Sequence, residues 1–233
     1  VHLAQRIAAD INERGHKVGD RLPTAKEMQA EYNVGHGTLR EALRYLELQG
    51  LISLRTGPQG GPIVRQPDAE ALSTTLLLLL QFRRAPYSAV TEVRSALEPV
   101  MARLAAERTT DEQLDQIRES VENMERALDE EGPFIAENKR FHKLVAHGSG
   151  NDIFGFFIDS MIEILDGSPI GKEYPAARRA AVAKAHRAIY EALASRDPEL
   201  AAKAMADHVG QSVSYMKGRY AEALAAPITW TIS

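Results

Sequence analysis

The chain has 233 residues, no cysteine and a formal net charge of -4, with 44% hydrophobic and 26% charged residues. That length suits one large domain or two ordinary ones; the composition excludes wholesale disorder and a collagen-like chain, and the missing cysteines exclude disulfides, thiolate zinc sites and a cysteine nucleophile. The longest apolar run, Leu76 to Leu80, falls far short of the roughly 20 residues of a membrane span, and no signal segment opens the sequence, so a cytoplasmic protein with no membrane partner is expected; Val1 in place of Met suggests that a short leader precedes it.

The charge is unevenly spread. Residues 1–67 carry nine Lys or Arg against seven Asp or Glu, a balance of +2, which leaves -6 for the remainder. A polyanion partner is therefore favoured at the N-terminal end only. Leu3, Ile7 and Ile11 recur at helical spacing and Gly15 stands at a C-cap position. Gly19-Asp20 reads as a turn. Thr24 and Glu27 form a capping box opening a short helix through Met28 to about Tyr32. After a turn at Asn33–Gly35, a further helix is expected to bury Leu39, Leu43, Leu46 and Leu48, and to end at Gly50. Two short strands, Leu51–Leu54 and Ile63-Val64, flank a Gly-rich turn. Three helices and a β-hairpin make a winged helix-turn-helix.

Such a module presents a helix N-terminus to the major groove. Gly35, His36, Gly37 and Thr38 place small residues and free amides there, which suits close approach to phosphate oxygens. Arg40 and Arg44 share one helix face opposite the leucines, and Arg40 can fork onto a guanine edge. Lys26 is placed for a phosphate, and Arg55, Thr56 and Gly57 sit on the hairpin, where a wing would meet DNA. The blocks Val18-Gly19-Asp20-Arg21-Leu22-Pro23-Thr24, Val34, Leu39-Arg40-Glu41-Ala42-Leu43, Leu46-Glu47 and Gly50-Leu51-Ile52 resemble the GntR family of bacterial transcription regulators over residues 3–66. By that resemblance, Lys26, His36, Thr38, Arg40, Thr56 and Gly57 contact operator DNA. The family usually has Ser-Arg where this chain has Gly35-His36, so a histidine replaces a base-reading arginine and the operator sequence is expected to differ.

A linker at Arg65-Gln66-Pro67-Asp68 ends this first domain (1–67). Residues 68–224 read as an all-α bundle of six or seven antiparallel helices, expected near 69–84, 87–107, 111–130, 133–147, 151–165, 176–195 and 198–224. Thr110 with Gln113 makes a capping box, and Asp197-Pro198-Glu199 is a helix start. Gly148–Asn151 and Gly167-Ser168-Pro169 are breaks. The leucines at 76–80 with Phe82 suit a core or an interface. Residues 225–233 form a tail of alternating apolar and polar residues with the only tryptophan.

Four histidines lie in this body. Asn138 and His142 are four apart on one helix face, and His186 and His208 fall on two later helices, so three imidazoles and one carbonyl oxygen can meet at one point. That donor set suits a divalent metal, zinc or nickel. His147, five residues from His142 and near a helix C-terminus, falls outside the set. Arg94, on a helix with Val90, Val93, Leu97 and Met101, needs an anion if buried; Glu98 or another acid is one partner for it. The pieces Glu92-x-Arg94-x-x-x-Glu98, Asn138-x-x-Phe141-His142, Ser149-Gly150-Asn151, His186-x-x-Ile189-x-x-Ala192-Leu193 and the later Ala202, Ala206 and His208 are similar to the FCD domain of the FadR branch of GntR regulators, over residues 72–221. The resemblance implies a metal set of Asp and three His, with Asn138 here where Asp is usual, and an arginine matching Arg94 that helps hold the ligand's carboxylate.

The expected protein is thus a ligand-responsive repressor, not an enzyme, binding a palindromic operator as a homodimer and released by a small carboxylate held by the metal and Arg94. A metal-free sensor of a larger acyl ligand, a bundle that only dimerises and a metal-dependent hydrolase are the alternatives; against the last, no general base is placed beside the cluster.

Overall fold

The computed structural model describes residues 1–57, 60–166 and 175–229. They divide into two compact units, with the boundary between Ala71 and Leu72. In the first, α1 (His2–Glu13) buries Leu3, Ala4, Ile7 and Ile11. It closes in a Schellman turn, with Gly15 at φ 68° and the His16 N–H donating to the Ile11 carbonyl at 3.0 Å; the positive φ is why glycine stands there. Thr24 and Glu27 cap α2 (Ala25–Tyr32) reciprocally as expected. Tyr32 ties α2 to α1 by donating its hydroxyl to Asp10 at 2.5 Å.

The next helix, α3 (His36–Leu48), buries Leu39, Ala42, Leu43 and Leu46. Leu48 does not join them: it is 71% exposed. At about 100° per residue, position 48 lies some 200° from position 46, on the solvent face. Strands β1 (Ile52–Arg55) and β2 (Gly61–Val64) pair antiparallel, from Ile52 opposite Val64 to Arg55 opposite Gly61. The segment read as a turn at Gly19-Asp20 also adds to the sheet edge. The Val64 N–H donates to the Asp20 carbonyl and the Leu22 N–H to the Pro62 carbonyl, each at 2.9 Å.

The second unit is helical among the described residues. Its elements are α4 (Glu70–Phe82, which begins just before the boundary), α5 (Tyr87–Arg108), α6 (Asp111–Arg126), α7 (Glu131–Gly148), α8 (Asp152–Asp166), α9 (Ala176–Ala194), α10 (Pro198–Arg219) and α11 (Ala221–Ala225). The Thr110–Gln113 box starts α6 and Asp197 with Pro198 starts α10, as the sequence implies. Phe134, Phe141, Ile117, Met124, Ile189 and Leu193 fill the core between α5, α6, α7, α9 and α10.

Two expectations change in detail. The helix expected over 198–224 breaks at Tyr220 (φ -131°, ψ 36°), and α11 turns Leu224 into a second apolar cluster. That cluster joins Tyr87, Val90, Met161, Leu165 and Ile228 with Leu76, Leu77 and Leu80, whereas Leu78, Leu79 and Phe82 stay exposed. The start of the tail is tied to the bundle. The Ile228 N–H donates to the Ala85 carbonyl at 2.9 Å and the Tyr87 N–H to the Ala226 carbonyl at 3.2 Å, and Ile228 is fully buried. The expected break at Gly167-Ser168-Pro169, the hairpin residues Pro58-Gln59 and the tail from Trp230 lie outside the described residues.

Candidate ligand pocket and DNA-reading face

The three candidate histidines converge. His142 on α7, His186 on α9 and His208 on α10 are all buried. Their Nε2 atoms face one another, 3.1 Å between His186 and His208 and 3.3 Å between His208 and His142. Nitrogens held at about 2.0–2.1 Å from one ion stand about 2.9–3.4 Å apart in octahedral or tetrahedral arrangements, so these separations fit a shared metal. Burial pushes the pKa values of His186 and His208 well down, and the neighbouring imidazoles push them further. Both rings are neutral at physiological pH, which is the ligating form. Phe141 stacks on the His186 ring at a centroid distance of 3.9 Å and holds its plane.

Behind His142 stands Glu98, a residue the sequence offered only as an ion-pair partner for Arg94. Its Oε2 lies 2.6 Å from His142 Nδ1, and its Oε1 accepts from Arg94 Nε. Burial alone would raise the Glu98 carboxyl, but the Arg94 and His142 charges and the bonds to both outweigh it and hold the group well below the usual carboxylate range. A carboxylate on the far nitrogen of a histidine fixes the tautomer that leaves Nε2 open for a metal.

The cluster forms one wall of a cavity, lined there by Asn138, His142 and His208. Arg94 and Thr91 of α5, Lys139 of α7, Arg178 of α9 and Ser212, Tyr215 and Tyr220 at the far end of α10 complete its polar lining. Asn138 thus sits one turn before His142 in the same lining. Sequence reasoning missed Arg178: in Ala176-Ala177-Arg178-Arg179 it reads as a solvated helix start. Inside the fold its Nη2 donates to Ser212 Oγ at 2.7 Å, and its guanidinium lies 4.7 Å from the centre of the Tyr215 ring. His147 takes no part in the cluster; it bonds Asp159 of α8 at 3.0 Å.

In the first unit, Gly35 is the N-cap of α3, and His36, Gly37 and Thr38 open the helix with their side chains exposed. A Cβ at Gly35 or Gly37 would meet nothing, so the amides there stand open to a partner. Lys26, Arg40, Arg44 and Arg55 are exposed, as are Thr56 and Gly57, and none of the four cations makes an ion pair with a described residue. His36 Nδ1 lies 3.2 Å from Gln29 Nε2, which holds its ring against α2.

Both halves have known counterparts. Residues 1–59 match the family model described as bacterial regulatory proteins, gntR family, and residues 89–211 match that of the FCD domain. The chain belongs to the GntR family of bacterial regulators. The HTH-type transcriptional repressor NanR of Klebsiella aerogenes is 31% identical over 201 residues, 84% of this chain and 76% of that protein. The HTH-type transcriptional regulator YcbG of Bacillus subtilis is 29% identical over 212 residues, 89% and 85% of the two chains. The solved structure of a GntR protein from Streptococcus agalactiae aligns at a TM-score of 0.71 with 28% identity, over 92% of this chain and 98% of that one. This GntR regulator is therefore a DNA-binding transcription regulator rather than an enzyme, and the hydrolase reading falls with that assignment. No helix among the described residues is long and apolar enough to cross a membrane.

Proposed function

We propose that this GntR regulator is a cytoplasmic, ligand-responsive repressor of the FadR branch. Residues 1–67 read one half of a palindromic operator, 68–224 bind the effector and dimerise, and 225–233 are a tail. The repressor assignment follows the relatives named NanR. His142, His186 and His208, with the Asn138 side-chain oxygen, hold a divalent metal, zinc or nickel. The effector is a small carboxylate taken by that metal and by Arg94. Bound there, the ion supplies a Lewis acid for a carboxylate oxygen.

The observation that carries this reading is the meeting of three buried imidazoles, two of them lining a cavity whose described cations are Arg94, Lys139 and Arg178. Buried polar groups without a purpose are costly, and three facing Nε2 atoms are most simply satisfied by a cation. Lys26, Gly35, His36, Gly37, Thr38, Arg40, Arg44, Arg55, Thr56 and Gly57 form the DNA-reading face. Binding changes operator affinity because the ligand binds one arrangement of the protein better than the other.

A homodimer has a candidate face in the second unit. Val93, Leu97 and Val100 form a stripe along α5, and Ile153, Phe156 and Phe157 form one on α8. Of these, Val93, Val100, Ile153, Phe156 and Phe157 are 36–64% exposed. Helices α5 and α8 pack together, through Met101 and Ile158 among others. Large apolar side chains clustered on a surface mark an interaction site.

The deciding experiment is elemental analysis of untagged protein, wild type and His186→Ala, alongside retention of a selected operator in the presence of a carboxylate panel. About one zinc or nickel per chain in the wild type, none in the variant, and release of operator by a carboxylate are expected. A metal-free wild type whose ligand affinity is unchanged by His186→Ala would sink the metal reading.

A further inference from the structure

The cavity beside the histidines is lopsided in charge. Its described lining includes Arg94, Lys139 and Arg178 and no Asp or Glu. Glu98, behind Arg94, is already shared between Arg94 and His142, and Asn138 brings no charge. Among the described residues Arg178 is held by neutral groups, the Ser212 hydroxyl and the Tyr215 ring. It makes no ion pair with a described residue, and its Nε is buried without a hydrogen-bond partner. A guanidinium held this way, with one edge unsatisfied, is a prepared fork for a planar anion. It comes from α9, a different helix from the α5 that carries Arg94. A ligand with a single carboxylate at the histidine and Arg94 end therefore leaves Arg178 unmatched and its Nε dry.

We propose that the effector is a small dicarboxylate, whose second carboxylate is taken by Arg178, making Arg178 the residue that selects dianions over monoanions. The proposal rests on the carboxylate reading above. The stack on Tyr215 and the bond to Ser212 position the fork before the ligand arrives, so little side-chain freedom is lost on binding. Fork and carboxylate then meet in a site walled by Val182, Val209 and Val213, where a charge-assisted pair is worth more than on an exposed surface.

The test is calorimetric titration of the full chain with probes matched in carbon number: butyrate with succinate, valerate with glutarate, and hexanoate with adipate. In at least one pair the dicarboxylate is expected to bind tenfold tighter or more. Arg178→Gln should erase that preference while leaving the monocarboxylate within about twofold. Arg178→Lys, which keeps the charge and loses the fork, should retain part of it and carries the test should the glutamine variant fail to fold. Equal affinities within every pair, or an Arg178→Gln loss shared equally by both members, would overturn the proposal and leave the carboxylate reading standing. Binding by none of the six acids overturns both.

Discussion

At the residue scale, single contacts decide what each candidate does. Arg94 and Glu98 are a buried pair, with side chains 17% and 3% exposed. Breaking a buried pair by removing one partner costs about 3–5 kcal/mol where the remaining charge is left uncompensated. Glu98→Gln should therefore lower the urea midpoint strongly, and it should also weaken metal retention by releasing His142. Unchanged melts would show that Arg94 has another adequate counter-charge. His147 illustrates the opposite case. Its bond to Asp159, set against partial burial, raises its pKa above the ordinary value. A raised folded pKa stabilises fully below the unfolded value of about 6.5 and loses that contribution as pH rises through the folded value. NMR titration should place His147 above that ordinary value and find it lowered in Asp159→Asn. Gly155 on α8 belongs to the same contact: a Cβ there would stand 2.4 Å from the His147 ring. Gly155→Ala should push the ring off Asp159 and lower the His147 pKa in the same way.

At the scale of elements, most of the fold was legible in local chemistry. Capping boxes at Thr24 and Thr110, the Asp197-Pro198 start and the glycine stops at Gly15 and Gly50 act within four residues, so sequence reading locates them. What it misjudged depended on where a face points. Helical spacing groups Leu48 with the buried leucines, yet it is exposed; spacing also groups Val93 with Val90, Leu97 and Met101, yet Val93 faces solvent while Val90 and Met101 are buried and Leu97 packs beside Met101. Local patterns give the angle between two side chains but not which angle meets the core. Helix α3 supports a prediction of its own. Arg40→Ala and Arg44→Ala should each weaken operator binding. If Arg40 reads a base edge, its variant relaxes specificity at one position and costs about 1–3 kcal/mol, whereas a pure phosphate contact instead reduces the salt slope by about 1. Binding isotherms at several salt concentrations, on the operator and on single-base variants, separate the two.

For the whole molecule, the apolar stripes on α5 and α8 predict association. Ile153→Glu places a charge on the most exposed of these residues, and sedimentation velocity should then show monomers at concentrations where the wild type is dimeric. Helical content by circular dichroism should be unchanged. Operator affinity should fall with the dimer, because each head reads one half-site. A dimer that persists in this variant would move the interface elsewhere.

Some of this is determined by the sequence alone. The order of turns, caps and apolar periods in this chain already specifies a winged helix-turn-helix followed by a helical bundle, because those signals are local. The types of the candidate metal donors were also legible, since a chain without cysteine has no thiolate to offer. Their meeting was not. His142, His186 and His208 are separated by 22 to 66 residues, and only packed helices bring the Nε2 of His208 to 3.1 Å and 3.3 Å from those of the other two. Glu98 stands against His142 and Arg178 lines the pocket for the same reason: a charge acquires its role from what surrounds it, and burial and partners are properties of the tertiary structure alone.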